Sequence, residues 1–273
     1  MKEKKRLDAA VFEQGLAESR EKAKTLIMAG VVYVNGVKAD KAGDTVSPDA
    51  VIEVRGNPLK YVSRGGLKLE KAMKAFPISL EGAVCADIGA STGGFSDCML
   101  QNGARKIYAV DVGYGQLAWK LRTDDRVVNL ERTNFRYVTE EQIPEPLDFA
   151  SVDVSFISLK LILPVLHRLL KDGACAVCLV KPQFEAGRDK VGKKGVVRDK
   201  AIHIEVLKGI TDYMLENGWS VKGIDYSPIK GPEGNIEYLA YIEKNDRKEY
   251  LPKLSPEETV ERSHSELDRQ AVI

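Results

Sequence analysis

Much of the chemical information in this chain lies between Ala83 and Phe95, which read Ala-Val-Cys-Ala-Asp87-Ile-Gly89-Ala-Ser91-Thr-Gly93-Gly94-Phe95. An apolar run ends in an acid, a glycine-rich turn follows, and the turn feeds a helical pattern. That is the grammar of a nucleotide or nucleoside site in an α/β sheet. The glycines let the backbone approach a ligand, and the helix start offers free N–H groups. Asp111 closes the next strand, where a carboxylate can accept both hydroxyls of a ribose, although a helix N-cap is its plainer use. Asp153 and Lys181 close two later apolar runs. Both therefore stand at strand carboxyl ends beside the glycine loop, where such sheets hold ligands. A lysine ending Ala-Val-Cys-Leu-Val is poorly explained as solubility decoration, whereas Asp153 could also be a cap or turn residue.

The loop admits three chemistries. A dinucleotide fingerprint is incomplete, since Gly89, Ser91 and Gly94 occupy the offsets of G-x-G-x-x-G. Gly89-Ala-Ser91-Thr-Gly93 matches the G-x-S-x-G nucleophile elbow, but that hydrolase needs a histidine at a strand end. His167 lies in an apolar helical run, His203 in another helix and His264 near the C-terminal end. The third chemistry is S-adenosylmethionine binding. A methyl donor has no pyrophosphate to cradle, so extra small residues and a preceding acid suit its zwitterionic end. On this reading Gly89, Ser91, Gly93, Gly94 and Phe95 wrap the donor and Asp87 positions the loop and the cationic part. Asp111 takes the ribose, and Asn134 faces the adenine edge.

Positioning these residues requires a regular alternation, and the hydrophobic pattern supplies one. Helices are expected over 66–75, 92–102, 116–122, 159–170 and 199–217. Strands are expected over 83–87, 106–111, 127–130, 149–154, 174–181, 219–226 and 236–242. Alternation predicts an α/β fold with a Rossmann-like sheet, mostly parallel and covered on both faces. The run 174–181 is apolar throughout and should be central, and the last pair, joined by the turn Gly231–Asn235, should be antiparallel. Lys68 falls on the helix leading into the sheet and Glu237 begins the final strand; judged alone, each reads as a surface ion-pair partner. Pro182 to Arg198, with Gly187, Gly192, Gly195, Arg188, Lys190, Lys193, Lys194 and Arg198, is either a linker or a lid that closes on substrate.

Ahead of this lies a small α+β module over residues 1–58, followed by a linker at 59–63. The main domain covers 64–245, and 246–273 are a charged tail, either a short helix or mobile. In the small module Ser19 is the expected N-cap of a helix running to Gly30. Ala23, Leu26 and Ile27 make its buried stripe, while Arg20 and Lys24 share another face. Val31–Val34, Asn35-Gly36 and Val37-Lys38 read as a hairpin with a two-residue turn. On charge alone the basic helix face is merely solvated.

Composition narrows the classes. Of 273 residues, 44% are hydrophobic and 30% charged, which is ordinary for a globular protein. Forty-one Lys plus Arg against forty Asp plus Glu leave a net charge of +1, so only local clusters can argue for nucleic-acid binding. Apolar stretches break well before the ~18 residues of a membrane span, no apolar secretory core follows Met1, and a cytoplasmic protein is expected. Cys175 and Cys178, three apart on a strand, face opposite ways. With Cys85 and Cys98 they read as buried reduced thiols, and no cluster has metal-ligand spacing.

Two resemblances extend these readings. Residues 4 to 55 carry two short helices, Ser19-Arg20 at the second helix start, and Val-x-Val-Asn35-Gly36. This order resembles the alpha-L RNA-binding motif shared with ribosomal protein S-four and pseudouridine synthases. The resemblance implies that Arg6, Ser19, Arg20, Lys24, Asn35 and Gly36 face structured RNA, with the cations on phosphates. In the main domain Lys68, Asp153, Lys181 and Glu237 resemble the Lys-Asp-Lys-Glu tetrad of the FtsJ-like RNA 2′-O-methyltransferases. With the small module the whole is similar to the TlyA family, often labelled hemolysins. The supporting motifs are Ser63-Arg-Gly-Gly-Leu-Lys68-Leu69, Asp87 to Phe95, Asp153-Val-Ser-Phe156, Lys181-Pro-Gln-Phe-Glu185, Gly195-Val-Val-Arg198 and Gly231-Pro-Glu-Gly-Asn235.

What the resemblance implies is ribose methylation of RNA, with ribosomal RNA or ribosomal subunits as the expected partner, from S-adenosylmethionine and without a metal. A 2′-hydroxyl is a poor nucleophile and must lose its proton as it attacks. A lysine can take that proton only when neutral, a state favoured by desolvation and a nearby cation. Lys181 is then the base or hydroxyl orienter, Lys68 the neighbouring cation, and Asp153 and Glu237 hold the lysines. Two rivals stand beside this: a non-catalytic RNA-binding ribosome factor, and a hemolysin, which would need an apolar or strongly amphipathic segment not seen here.

Overall fold

The computed structural model describes residues 4–17, 19–55, 60–192 and 194–268. They form two compact units that divide between Arg64 and Gly65. Residues 56–58 at the end of the expected small module, residue 59 of the expected linker, and Lys193 of the glycine-rich segment lie outside the described residues.

The first unit runs β1 (Lys5–Arg6), α1 (Leu7–Glu13), α2 (Arg20–Met28), β2 (Val32–Val34), β3 (Val37–Ala39), β4 (Thr45–Val46) and β5 (Ile52–Val54). Ser19 caps α2 by accepting the Lys22 N–H at 3.1 Å. Ala23, Leu26 and Ile27 are its buried face and join Leu7, Val11 and Val32 in the unit's core. β2 pairs antiparallel with β3 through Asn35 and Gly36, both at positive φ, and on its other edge with β5. Positive φ at both turn residues is what a two-residue hairpin with the strands' own twist demands.

The second unit opens with α3 (Gly65–Ala75) and then alternates β6 (Val84–Ile88), α4 (Gly94–Gln101), β7 (Lys106–Val110), α5 (Trp119–Arg122), β8 (Val127–Leu130) and β9 (Leu147–Val152). It continues α6 (Leu163–Leu169), β10 (Leu170–Val180), α7 (Pro182–Glu185), α8 (Lys200–Glu216), β11 (Trp219–Tyr226), β12 (Tyr238–Lys244) and α9 (Pro256–Leu267). The seven strands form one sheet in the order β11-β12-β10-β9-β6-β7-β8. Pairing is parallel from β10 to β8, whereas β12 runs antiparallel to both β10 and β11. The mostly parallel, Rossmann-like reading therefore holds, with the antiparallel strand one place in from the edge. β6 is buried along its whole length, as a strand with neighbours and helices on every side must be.

Several boundaries differ from the sequence reading, and three of them have a clear physical reason. The expected helix 159–170 is a 3-10 turn, Leu159–Leu161, followed by α6. Pro164 has no N–H to continue a ladder and sits in the first turn of a fresh helix. α4 begins at Gly94 rather than Thr92, because Ser91 and Gly93 both adopt left-handed conformations and extend the loop. β12 begins at Tyr238, so Glu237 precedes the strand rather than starting it. In the C-terminal stretch α9 carries a full capping box between Ser255 and Glu258, and its Val260 and Leu267 belong to the main hydrophobic core.

Candidate active site

Strand termini bring the charged residues together. β9 ends at Val152 and β10 at Val180, so Asp153 and Lys181 emerge side by side from paired parallel strands. The Lys181 ammonium lies 2.5 Å from Asp153 Oδ1 and donates to Ser155 Oγ at 3.1 Å. Lys68, from α3, reaches Asp153 Oδ2 at 3.2 Å and Glu237 Oε2 at 2.6 Å. Asp153 thus stands between two ammonium groups, one on each oxygen. Lys68, Lys181 and Glu237 are buried, a state that charges tolerate only when paired. Burial pulls the Lys68 ammonium toward neutrality, but the Asp153 and Glu237 carboxylates outweigh it and the net shift is upward. Burial likewise works against ionised Asp153, and the two lysines overcome it and hold its carboxyl below the usual range.

The glycine loop lies against this cluster. Gly89 takes φ +84°, and a Cβ there would fall 2.9 Å from the carbonyl carbon of Asp153. Gly93, at φ +91°, is closed in by Leu117 and Leu121. Gly94 and Phe95 are buried in the first turn of α4. Asp111 accepts the Ser91 N–H at 2.8 Å through Oδ2 and the Gly113 N–H at 2.6 Å through Oδ1. It remains part-exposed, with lone pairs left on each oxygen.

Asp87 is placed differently. It is buried and accepts from the Ser96 N–H (2.8 Å), the Ser96 hydroxyl (2.7 Å) and the Ser151 hydroxyl (3.2 Å). Burial pushes its carboxyl up to about 6 against the pull of the serine hydrogen bonds. Its carboxylate ties α4 to β6 and β9, so its hold on the loop runs through Ser96. Asn134 is exposed, and its Oδ1 caps a 3-10 turn by accepting the Arg136 N–H at 3.1 Å.

A cavity of about 1000 Å³ opens beyond the tetrad, with Lys181, Glu237 and Ser155 on one side and Phe156, Phe184 and Arg136 among its other walls. Phe156 is 89% exposed and adopts φ +63°, a conformation that a bulky L-residue avoids. Its ring lies 5.0 Å from that of Phe184, tilted by 49°. Nothing in the sequence pattern separates Phe156 from core aromatics; only its position three residues past Asp153 hints at a role. Ser155 was missed for the same reason.

The segment after Lys181 is folded in its described part. It holds α7, a 3-10 turn at Arg188–Lys190, and Val197, buried against the unit. Asn235 binds its far end, accepting the Val197 N–H at 3.0 Å and donating to Gly195 O at 2.9 Å. His203 Nε2 faces Val197 O at 3.0 Å and must carry the proton there, so Nδ1 accepts from the Tyr238 hydroxyl at 2.6 Å. Burial lowers the His203 pKa and keeps this ring neutral.

No histidine reaches Ser91, whose hydroxyl donates to Gln116 at 3.3 Å; His167 contacts Gly218 O and His264 contacts Asp268. The nucleophile-elbow reading therefore has no base among the described residues. Cys85, Cys98 and Cys178 are buried and in no disulfide, while Cys175 is half-buried. Among the described residues no three of His, Cys, Asp or Glu group to hold a metal ion. None of their helices is long and apolar enough to cross a membrane.

In the first unit Arg6 and Arg20 converge on Asp8, Lys24 pairs with Glu21 at 2.9 Å, and Asn35 Oδ1 accepts the Val51 N–H at 2.9 Å. Ser19 is engaged in its cap, and a Cβ on Gly36 would meet open space.

Comparison with known proteins agrees with both halves of this description. The family model described as FtsJ-like methyltransferase matches residues 61–244, and the S4 domain model matches residues 5–52. The chain is 54% identical over 268 residues to "Putative rRNA methyltransferase YqxC" of Bacillus subtilis, covering 97% of this chain and 95% of that one. It is 44% identical over 243 residues to "16S/23S rRNA (cytidine-2'-O)-methyltransferase TlyA" of Mycobacterium tuberculosis, covering 89% and 91%. The solved structure "Putative hemolysin from Streptococcus thermophilus" is 49% identical, covers 99% of both chains and superposes with a TM-score of 0.79.

Proposed function

The chain belongs to the FtsJ-like methyltransferase family, and on that premise we propose that it methylates a ribose 2′-hydroxyl of ribosomal RNA with S-adenosylmethionine. The observation that carries this reading is the ion-paired set Lys68–Asp153–Lys181 with Glu237, placed between the glycine loop and the large cavity. The relatives named as rRNA 2′-O-methyltransferases supply the substrate class.

The loop residues fit the methyl donor. Gly89 and Gly93 leave no room for side chains, and the part-exposed Asp111 carboxylate has acceptor capacity for a ribose diol. Bound there, the donor supplies an electrophilic methyl on a sulfonium. Lys181 would orient the 2′-hydroxyl and, as the base, would take its proton when that oxygen accepts the methyl group. The resulting ammonium finds Asp153 already beside it. Lys68, whose pKa is raised, stays cationic throughout and fixes both carboxylates. Correct placement alone contributes up to about 7–11 kcal/mol of the barrier reduction in such two-body reactions. The Phe156–Phe184 pair offers a stacking surface for the base of the target nucleotide, a contact worth about 1–3 kcal/mol per base. In the first unit Arg6, Arg20 and Lys24 engage RNA phosphates.

The test is transfer of labelled methyl from S-adenosylmethionine to ribosomal subunits, followed by nucleoside mapping. Label on ribose is the expected outcome. Label on a base, or none while the donor still binds, overturns the assignment.

A further inference from the structure

Among its described residues the first unit contains one buried carboxylate that the proposed chemistry does not use. The Asp8 side chain has no exposed surface. Arg6 forks onto both of its oxygens, Nε at 3.1 Å from Oδ1 and Nη2 at 3.0 Å from Oδ2. Arg20 adds Nη2 to Oδ1 at 3.2 Å, and the Ala9 N–H donates to the same oxygen at 2.9 Å. The two arginine side chains nevertheless remain about half open, 52% for Arg6 and 51% for Arg20. Asp8 takes two guanidinium donors from Arg6 and one from Arg20, out of about five that each guanidinium carries.

Two guanidiniums on one small domain would ordinarily repel and sample many rotamers. A shared carboxylate that is itself screened from solvent and held by the Ala9 N–H removes both freedoms, because neither arginine can leave without uncovering its charge. We propose that Arg6, Asp8 and Arg20 form a preorganised clamp for two neighbouring RNA phosphates, with Asp8 as its positioning residue. The proposal rests on the reading that the first unit binds RNA. Its partner is a folded RNA backbone, since a pair of cations locked together favours phosphates held at a fixed spacing over a flexible strand. The cost of ordering the two side chains is met in the free protein, so binding does not have to meet it again.

The clamp makes a prediction of opposite sign to simple charge counting. Asp8 places a negative charge on a surface that meets a polyanion. If charge were all that mattered, Asp8→Asn would add one net positive charge and tighten binding. The clamp requires that it weaken binding. The test is binding of the full-length protein to transcribed 16S and 23S ribosomal RNA over a series of salt concentrations. Asp8→Asn is expected to bind about tenfold more weakly, a change of one decade in Kd. Arg6→Lys, which keeps the charge and the paired Asp8 but loses the fork, is expected to weaken binding several-fold with the salt slope nearly unchanged. Equal or tighter binding by Asp8→Asn overturns the clamp. Should Asp8→Asn melt below the parent protein, Arg6→Lys decides, and unchanged affinity there overturns it as well. If the parent protein itself fails to bind either RNA, the RNA reading of the first unit falls and the clamp falls with it.

Discussion

Gly89 packs its α-carbon against the backbone of Asp153, so closely that a single added methyl would meet that carbonyl carbon at 2.9 Å. The Asp153 N–H in turn donates to Ile88 O at 2.9 Å. The loop proposed to hold the donor and the carboxylate proposed to hold both lysines are therefore one piece of backbone.

Gly89→Ala should damage binding and chemistry together. Positive φ alone costs about 1 kcal/mol or more for alanine, and the backbone collision adds to it. Calorimetric titration with S-adenosylmethionine and a transfer assay should both fall at least tenfold. A variant that binds normally and only transfers slowly would separate the loop from Asp153.

Lys181→Ala should abolish transfer, by roughly 10²–10⁴-fold, with donor affinity largely kept. Lys181→Arg should fail equally, because a guanidinium does not become neutral and cannot take the proton. Full activity in the alanine variant would refute the choice of base.

Lys68→Met should be the most destabilising change in the tetrad. It leaves Glu237 without its cation and Asp153 with Lys181 alone, and breaking a buried pair from one side costs about 3–5 kcal/mol. Adding Glu237→Gln should recover part of that loss, measurable by denaturant unfolding of the single and double variants. Strict additivity would mean that the two residues do not interact.

Phe156→Gly should raise stability while lowering activity. The left-handed backbone at Phe156 is strained, on the order of 1–3 kcal/mol, and glycine relieves it. The aromatic surface is lost at the same time. Thermal melting should rise by a few degrees, the KM for RNA should increase, and donor binding should not move; Phe156→Tyr should restore turnover. A lower melting point together with unchanged turnover would remove Phe156 from the substrate site.

Melting temperature and activity should part company with pH. The Asp153 carboxyl is lowered in the fold, so its stabilisation is present above the ordinary value of 3.8 and fades as pH drops below it. Lys68 is raised, so its contribution is full below 10.5 and is lost only above. Asp87 is raised to about 6, so what it adds is full below 3.8 and gone once pH passes about 6. Between about pH 6.5 and 9.5 these three contributions are constant and their part of the melting curve should be flat. Any change in transfer across the same window should leave the melting point where it is. A melting point that falls in step with the activity change would attribute the profile to unfolding.

Much of the site was legible before any coordinates because it lies where strand chemistry is simple. An apolar run that ends in a charge announces a strand tip, and Asp153 and Lys181 are adjacent because β9 and β10 pair in parallel. Lys68 and Glu237 were ambiguous in isolation, since neither ends an apolar run; only the resemblance placed them beside Asp153. Asp87 was assigned partly to the cofactor, whereas its three serine hydrogen bonds turn it inward, and no linear pattern reveals hydroxyls from residues 96 and 151 meeting one carboxylate. Phe156 is not separable from core aromatics by sequence, because spacing encodes neither its exposure nor its left-handed backbone. Asp8 follows the cations Lys4, Lys5 and Arg6, a setting that reads as solvated charge, yet it is the most enclosed acid among the described residues of its unit.

Asn235 has a consequence for fidelity. Its side chain fastens Gly195 and Val197 to the loop that leads into Glu237, so the far wall of the cavity and one corner of the tetrad share an anchor. An RNA that displaced Gly195 would disturb that corner through Asn235. Poorly matched substrates would then be rejected mainly through slow turnover, with loose binding the smaller part, and an error would cost the cell time more often than a misplaced methyl group.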